Sequence, residues 1–267
     1  MSAHLQQFNL KHCPLTKGSP ASWETSGLEE LKSRFRWLLD SPGIGLITGA
    51  PGVGKTAALH HLCQSLNTQE YQVIYHSETD FGRLDIYQQL ALDFGLATKH
   101  RRANIWRAIK AHILEMAQHK HRLPIWIIDE AQNLPDEFFR DFPAFLNFAF
   151  DSQPLMTVWF LGHSRLLQKI KQPVHDSLRS RIQIFVHFDP IDDASEFKQM
   201  LTAAFKEAGA HSSLVSDSGI ELIRFASQGK FRQAGIIIDT ALQLGFKQNL
   251  NHLPDDTIKQ AIKELQK

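Results

Sequence analysis

The run Gly49-Ala50-Pro51-Gly52-Val53-Gly54-Lys55-Thr56 constrains this chain more than any other stretch, because it fills every fixed position of a G-x-x-x-x-G-K-[ST] loop. Its flanks have the matching character. Ile44 to Thr48 is a short apolar run that reads as a buried strand, and Thr56 to Leu66 carries apolar residues at helical spacing. Glycines at 49, 52 and 54 let successive main-chain N–H groups converge on one point at the positive end of the following helix, which is a site for phosphate. Lys55 reaches the β- and γ-phosphates in such a loop, and the Thr56 hydroxyl is placed for Mg²⁺. Gly49, Ala50, Pro51, Gly52, Val53, Gly54 and Ala57 complete the cradle. An ordinary glycine-rich turn accounts for neither the full set of fixed positions nor the flanking elements. The expected ligands are ATP and Mg²⁺.

A second apolar run, Ile125-Trp126-Ile127-Ile128, has the composition of a strand buried on both faces and ends in Asp129-Glu130. Acids at a strand end can serve as a helix-start cap. Beside a phosphate loop they suit different chemistry, in which Asp129 holds the metal and Glu130 orients or deprotonates the attacking water. A small-molecule kinase has no need of a water-activating Glu130, which sets that rival apart.

Apolar runs at 72–76, 155–161 and 183–188 supply three more strands. Helical patterns at 26–39, 84–94, 104–118 and 135–150 alternate with the strands, so the first 190 residues predict a parallel five-stranded sheet flanked by helices, the P-loop NTPase form of an α/β fold. Ser26 with Glu29 reads as a capping box. From Asp192 the strand signal stops and three or four helices are expected, near 193–208, 216–227, 231–244 and 254–265. The expected organisation is an extended N-terminal arm over 1–24, an α/β nucleotide-binding domain over 25–190 and a small all-α domain over 191–267.

Lys plus Arg number 29 against 28 Asp plus Glu, so no global field marks a polyanion partner, and any such contact must be local. The N-terminus has no basic-then-apolar leader and no apolar run approaches a membrane span, which predicts a cytoplasmic protein with no membrane contact. Cys13 and Cys63 are expected as free thiols, and the 14 histidines show no metal-ligand frame.

Two further polar elements fall where a multimeric ATPase would use them. His163 or Ser164, after the fourth strand pattern, reads as a sensor near the γ-phosphate, and His163 reads equally as a satisfied turn residue. Arg179 and Arg181, before the last strand, read either as solvated helix-end charges or as a finger that neutralises transition-state charge on a neighbouring copy, with Arg181 slightly preferred.

With these residues in order the chain resembles an AAA+ ATPase over nearly all its length. Gly49 to Thr56 is similar to Walker A, Ile125 to Glu130 to Walker B, and His163 stands near sensor 1, although a histidine departs from the Asn, Thr, Ser or Gln usual there. The resemblance implies that 191–267 is the AAA+ lid and that Arg232, in Gly229-Lys230-Phe231-Arg232, is its sensor 2 residue; by itself Arg232 is only a charge early in a helix. Within AAA+ proteins, Ile127 to Leu134 (I-I-D-E-A-Q-N-L) resembles the group of ExeA-type ATPases and the transposition regulators TniB, TnsC and MuB, and Phe8-Asn9-Leu10-Lys11 with Pro14 resembles the ExeA-like opening. Secretion-type members carry a membrane span and a wall-binding extension after the ATPase, whereas this chain stops soon after the lid, so the expectation falls on the transposon branch. That branch implies ring or helical homo-oligomers on double-stranded DNA that select a target and recruit or activate a transposase. An ExeA-like ATPase energising an envelope secretion machine is the alternative.

A local basic cluster bears on DNA. Lys99, Arg101 and Arg102 are followed by Trp106, Arg107 and Lys110, and Arg83 lies in the preceding loop. In the related ATPases this region lines a central pore and follows the phosphate backbone, which implies DNA contact through Arg83, Lys99, Arg101 and Arg102. As a bare charge run it reads equally as a solvated loop, with Trp106 in the core.

Overall fold

The computed structural model describes residues 3–16, 25–77, 82–97, 101–148, 154–210 and 213–266. In chain order these form α1 (Ala3–Gln7), α2 (Ser26–Asp40), β1 (Ile44–Gly49), α3 (Lys55–Gln64), β2 (Tyr71–His76), α4 (Arg83–Asp93), α5 (Arg102–His119), β3 (Leu123–Ile128), α6 (Asp136–Phe145), β4 (Thr157–Gly162), α7 (Ser164–Ile170), α8 (Asp176–Arg179), β5 (Ile182–Phe188), α9 (Ala194–Glu207), α10 (Asp217–Ser227), α11 (Phe231–Lys247) and α12 (Asp255–Leu265). By contacts the chain separates into two compact units. The predicted helix at 135–150 stops at Phe145, and α7 has too short an apolar period to be read from sequence.

One unit comprises Glu30–Gly49 and Leu62–His187. Its five-stranded parallel sheet has the order β2-β3-β4-β1-β5. Position follows composition: β1, β4 and β3 are unbroken apolar runs and sit centrally, buried on both faces, while β5 at an edge alternates buried and exposed. In the central register Ile128 lies opposite Phe160 and Thr48 opposite Gly162, so the carboxyl ends of β3, β4 and β1 share one edge of the sheet. Close packing dictates a glycine in β1, since a Cβ on Gly45 would stand 2.3 Å from the Trp159 ring. One face is filled by aromatics from α4, α5 and α6: Tyr87, Phe138, Phe142 and Phe145 surround Trp126, with Trp106 packed at the rim. Burying each such ring contributes about 2 to 3 kcal/mol. On α5 the buried residues are Ile105, Ile109, Ile113 and Met116, the stripe that its sequence period predicts.

The other unit comprises Met1–Glu29, Ala50–His61 and Phe188–Lys267. Helices α9 to α12 enclose an apolar core that includes Phe197, Leu201, Ile223, Ile238 and Leu242. Asp193 caps α9 by accepting from the Glu196 nitrogen at 2.7 Å, and Ser216 caps α10 by accepting from the Gly219 nitrogen at 3.0 Å. The N-terminal residues depart from the extended arm expected of them. After the short α1, Phe8, Leu10, Cys13 and Leu15 are all buried in this core, and α11 makes room for Phe8 and Leu15 with glycines. A Cβ on Gly245 would stand 3.0 Å from the Phe8 ring, and one on Gly235 would stand 2.9 Å from the Leu15 carbonyl. The expected capping box is also replaced: Thr25 Oγ1 accepts from the Leu28 nitrogen at 3.3 Å, while Ser26 donates through nitrogen and hydroxyl to the Glu196 carboxylate. Cys13 and Cys63 are both free thiols. Among the described residues no helix is long and apolar enough to cross a membrane.

Candidate nucleotide site

The phosphate loop follows β1 and opens α3 at Lys55. Gly52 and Gly54 adopt φ of +83° and +93°, a left-handed backbone that side chains resist. Both are also crowded by the start of α11, since a Cβ on Gly52 would stand 2.9 Å from Arg232 Cβ and one on Gly54 would stand 2.7 Å from the Phe231 ring. The Arg232 nitrogen donates to the Gly52 carbonyl at 3.2 Å. Gly229, just before α11, has φ +68°, and a Cβ there would meet the Ile191 carbonyl at 2.2 Å, so the approach of α11 is fixed by a second glycine. Lys55 is buried, with its ammonium donating to the Ala50 carbonyl at 3.0 Å, whereas Thr56 and Ala57 on the first turn of α3 are exposed. Main-chain amides, one ammonium and one hydroxyl form a donor set suited to a polyphosphate.

The acid pair follows β3. Asp129 is buried, and three bonds orient it: its nitrogen donates to the His76 carbonyl at 2.8 Å, its Oδ1 accepts from the Glu130 nitrogen at 2.8 Å, and its Oδ2 accepts from the Tyr75 hydroxyl at 3.0 Å. Burial, and then the negative charge of Asp129, push the Tyr75 hydroxyl well above the ordinary phenol range, so it stays a donor. His76 is itself held. Trp126 Nε1 donates to His76 Nδ1 at 3.0 Å, so the proton sits on Nε2, which bonds Asp93. Glu130 has φ 50° and ψ 34°, a left-handed conformation unusual for a glutamate and of the kind that clusters at functional sites. Neither Tyr75 nor His76 was legible as part of the site, because each acts from a neighbouring strand.

A 3-10 turn, Ala131–Asn133, comes next. Gln132 donates through Nε2 to Glu130 Oε2 at 2.6 Å and accepts through Oε1 from the His163 nitrogen at 3.4 Å. Lys169 of α7 donates to the Leu134 carbonyl at 2.5 Å and pairs with Asp136 at 3.0 Å. The His163 ring caps α7, its Nδ1 accepting from the Arg165 nitrogen at 3.3 Å. Arg179, at the end of α8, is half exposed and paired with Asp176 at 3.0 Å; Arg181 follows it and leads into β5.

The basic cluster divides. Lys99 lies outside the described residues, as does the side chain of Arg83, the first residue of α4. Arg101 precedes α5, and both it and Arg107 are exposed. Arg102 pairs with Asp141 and covers the Trp106 ring at 5.0 Å, and Lys110 donates to the Ala144 and Asn147 carbonyls at 3.0 Å each. Residues 102, 106 and 110 therefore form one latch from α5 to α6.

Among the described residues no group of three or more His, Cys, Asp or Glu could enclose a metal.

Residues 38–170 match a family model described as "AAA domain". A 24% identical relative, General secretion pathway protein A of Aeromonas hydrophila, aligns over 230 residues, 85% of this chain and 42% of the relative. The chain thus spans less than half the length of that relative. Among solved structures the fold is similar to the Aeropyrum pernix ORC2 protein in ADPNP-ADP complexes, at TM-score 0.74 and 15% identity over 94% of this chain and 70% of that one. It is similar also to Cdc6p from Pyrobaculum aerophilum, at TM-score 0.70 and 17% identity over 97% and 70%. The Aeropyrum pernix ORC1 protein in complex with DNA matches at TM-score 0.66 and 14% identity over 90% and 64%.

Proposed function

From an AAA domain over residues 38–170 in a P-loop AAA+ fold, we propose that this protein is a Mg²⁺-dependent ATPase that assembles on duplex DNA and regulates transposition, selecting a target or activating a transposase. The observation that carries the ATPase reading is the loop: Gly52 and Gly54 in left-handed backbone, with the buried Lys55 behind them at the start of α3. Lys55 and the loop amides take the phosphates. Thr56 and Asp129 are the side chains that would hold Mg²⁺, which when bound neutralises charge on the terminal phosphates. Glu130 takes a proton from the attacking water as its oxygen bonds to the γ-phosphorus and the bond to the bridging oxygen breaks, yielding ADP and phosphate. Arg232 touches the nucleotide phosphates from the lid, and His163 stands at the sensor position. Arg181 or Arg179 serves an adjoining copy in a ring or filament, supplying positive charge to its γ-phosphate.

The DNA part has narrower support. Arg101 and Arg107 are the exposed cations of the described cluster, with Arg83 and Lys99 as further candidates, while Arg102 works chiefly as an internal latch. Repetition of a few phosphate contacts around a polymer multiplies avidity, so a near-neutral protomer suffices.

The likeness to General secretion pathway protein A favours a second reading, an ATPase energising an envelope secretion machine. One pair of assays separates the two. Phosphate release without any acceptor, lost in Lys55→Ala, supports the ATPase. Retention of a labelled duplex at low salt only with a non-hydrolysable ATP analogue supports the DNA reading, and no retention transfers the case to the secretion reading.

A further inference from the structure

We propose that Gln132 positions Glu130 for hydrolysis by tying its carboxylate to the end of β4, an inference that rests on Glu130 being the base. The side chain of Glu130 is exposed and has three rotatable torsions, so the left-handed backbone alone leaves the carboxylate many orientations. The Gln132 side chain narrows them. The Gln132 amide gives its N–H to Glu130 Oε2 at 2.6 Å while its oxygen takes the His163 main-chain N–H at 3.4 Å. Only an amide offers a donor and an acceptor at the same reach; a carboxylate lacks the donor, and an apolar side chain lacks both.

The surroundings are shaped to that bridge. Gly162, the last residue of β4, leaves the space the amide occupies, since a Cβ there would stand 2.4 Å from Gln132 Oε1. From the other side Lys169 reaches the Gln132 and Leu134 carbonyls at 3.4 and 2.5 Å, holding the 3-10 turn from which the amide extends. The imidazole of His163 is engaged in capping α7, so the link between the β4 end and the base runs through the His163 backbone and Gln132. A shift of the β4–α7 junction is therefore passed to the carboxylate without any change in the phosphate loop.

The test uses the full chain and compares wild type, Gln132→Met, Gln132→Glu and Glu130→Gln. Gln132→Met keeps length and volume but removes both bonds. Its kcat for ATP hydrolysis should fall about 10- to 100-fold, part of what a positioned general base contributes, with KM, affinity for a non-hydrolysable analogue and melting temperature unchanged. Gln132→Glu keeps the reach and the acceptor but loses the donor, and should be as slow as Gln132→Met with nucleotide affinity again unchanged. A merely structural role for Gln132 would lower affinity and melting temperature along with kcat. A Gln132→Met enzyme with wild-type kcat beside an inactive Glu130→Gln overturns the positioning role and leaves the base assignment standing. Equal losses of kcat, affinity and melting temperature in Gln132→Met also overturn it. A fully active Glu130→Gln removes the base and this inference together.

Discussion

The main-chain nitrogen of Arg232 donates to the carbonyl of Gly52 at 3.2 Å, so the first turn of α11 is bonded to the backbone of the phosphate loop. Gly52 faces two constraints at once, a φ of +83° and a wall formed by Arg232 Cβ. Gly52→Ala should cost about 1 to 3 kcal/mol of stability and abolish nucleotide binding. Chemical denaturation and titration calorimetry read the two effects, and an alanine variant that binds ATP normally contradicts the assignment of the loop.

Lys55→Ala and Glu130→Gln should separate binding from chemistry. The first removes the ammonium from the phosphate cradle and should leave no measurable heat on mixing with ATP. The second should keep that heat and lower phosphate release by about 100-fold or more.

Tyr75→Phe deletes the hydroxyl that bonds Asp129 Oδ2 and leaves the ring in place. Loss of a hydrogen bond to a charged group costs about 1.5 to 3 kcal/mol where the group is buried. The measurable outcome is weaker Mg²⁺ activation, seen as a rise in the Mg²⁺ concentration giving half-maximal hydrolysis, with nucleotide affinity in the absence of metal unchanged.

Arg101→Ala and Arg107→Ala should each weaken duplex binding and flatten its dependence on salt by about one unit of slope. Arg102→Ala should act otherwise. It removes a partly exposed pair with Asp141 and the cation over Trp106, and should lower stability by about 1 kcal/mol.

His175 is buried against Phe139, 3.9 Å from Asp136, with neither ring nitrogen hydrogen-bonded among the described residues. Burial holds its folded-state affinity for protons below the ordinary histidine value, with Lys169 and Arg140 acting in the same direction and Asp136 opposing. Below about pH 6.5 the unfolded chain binds the proton that the folded chain refuses. Stability contributed by the neutral imidazole is thus present above that pH and lost as pH falls through the folded value. Asp136 is shifted downward by Lys169 and acts only in a more acid range. Urea midpoints should fall as pH drops below about 6.5 in wild type and lose part of that slope in His175→Phe.

The sheet and the loop were legible because their signals are local. Continuous apolar runs mark β1, β3 and β4, and the loop needs glycine, lysine and threonine at fixed spacing whatever surrounds it. The acids Asp129 and Glu130 were legible for the same reason, since they directly follow a buried strand. The latch on α5 left a fainter trace: Arg102, Trp106 and Lys110 recur every four residues and so share a helix face, yet their charge suggested an external anion.

Local sequence pattern thus specifies the succession of strands and helices, the phosphate loop and the acids at the end of β3. Packing in three dimensions selects which groups hold those acids. Tyr75 meets Asp129 across 54 residues and Gln132 meets His163 across 31, through strand adjacency and glycine-sized gaps that no local pattern encodes. The same packing sets Phe8 and Leu15 against glycines of α11 and buries Leu10 in the same core rather than leaving an arm, because apolar side chains take whatever groove the packed helices leave open.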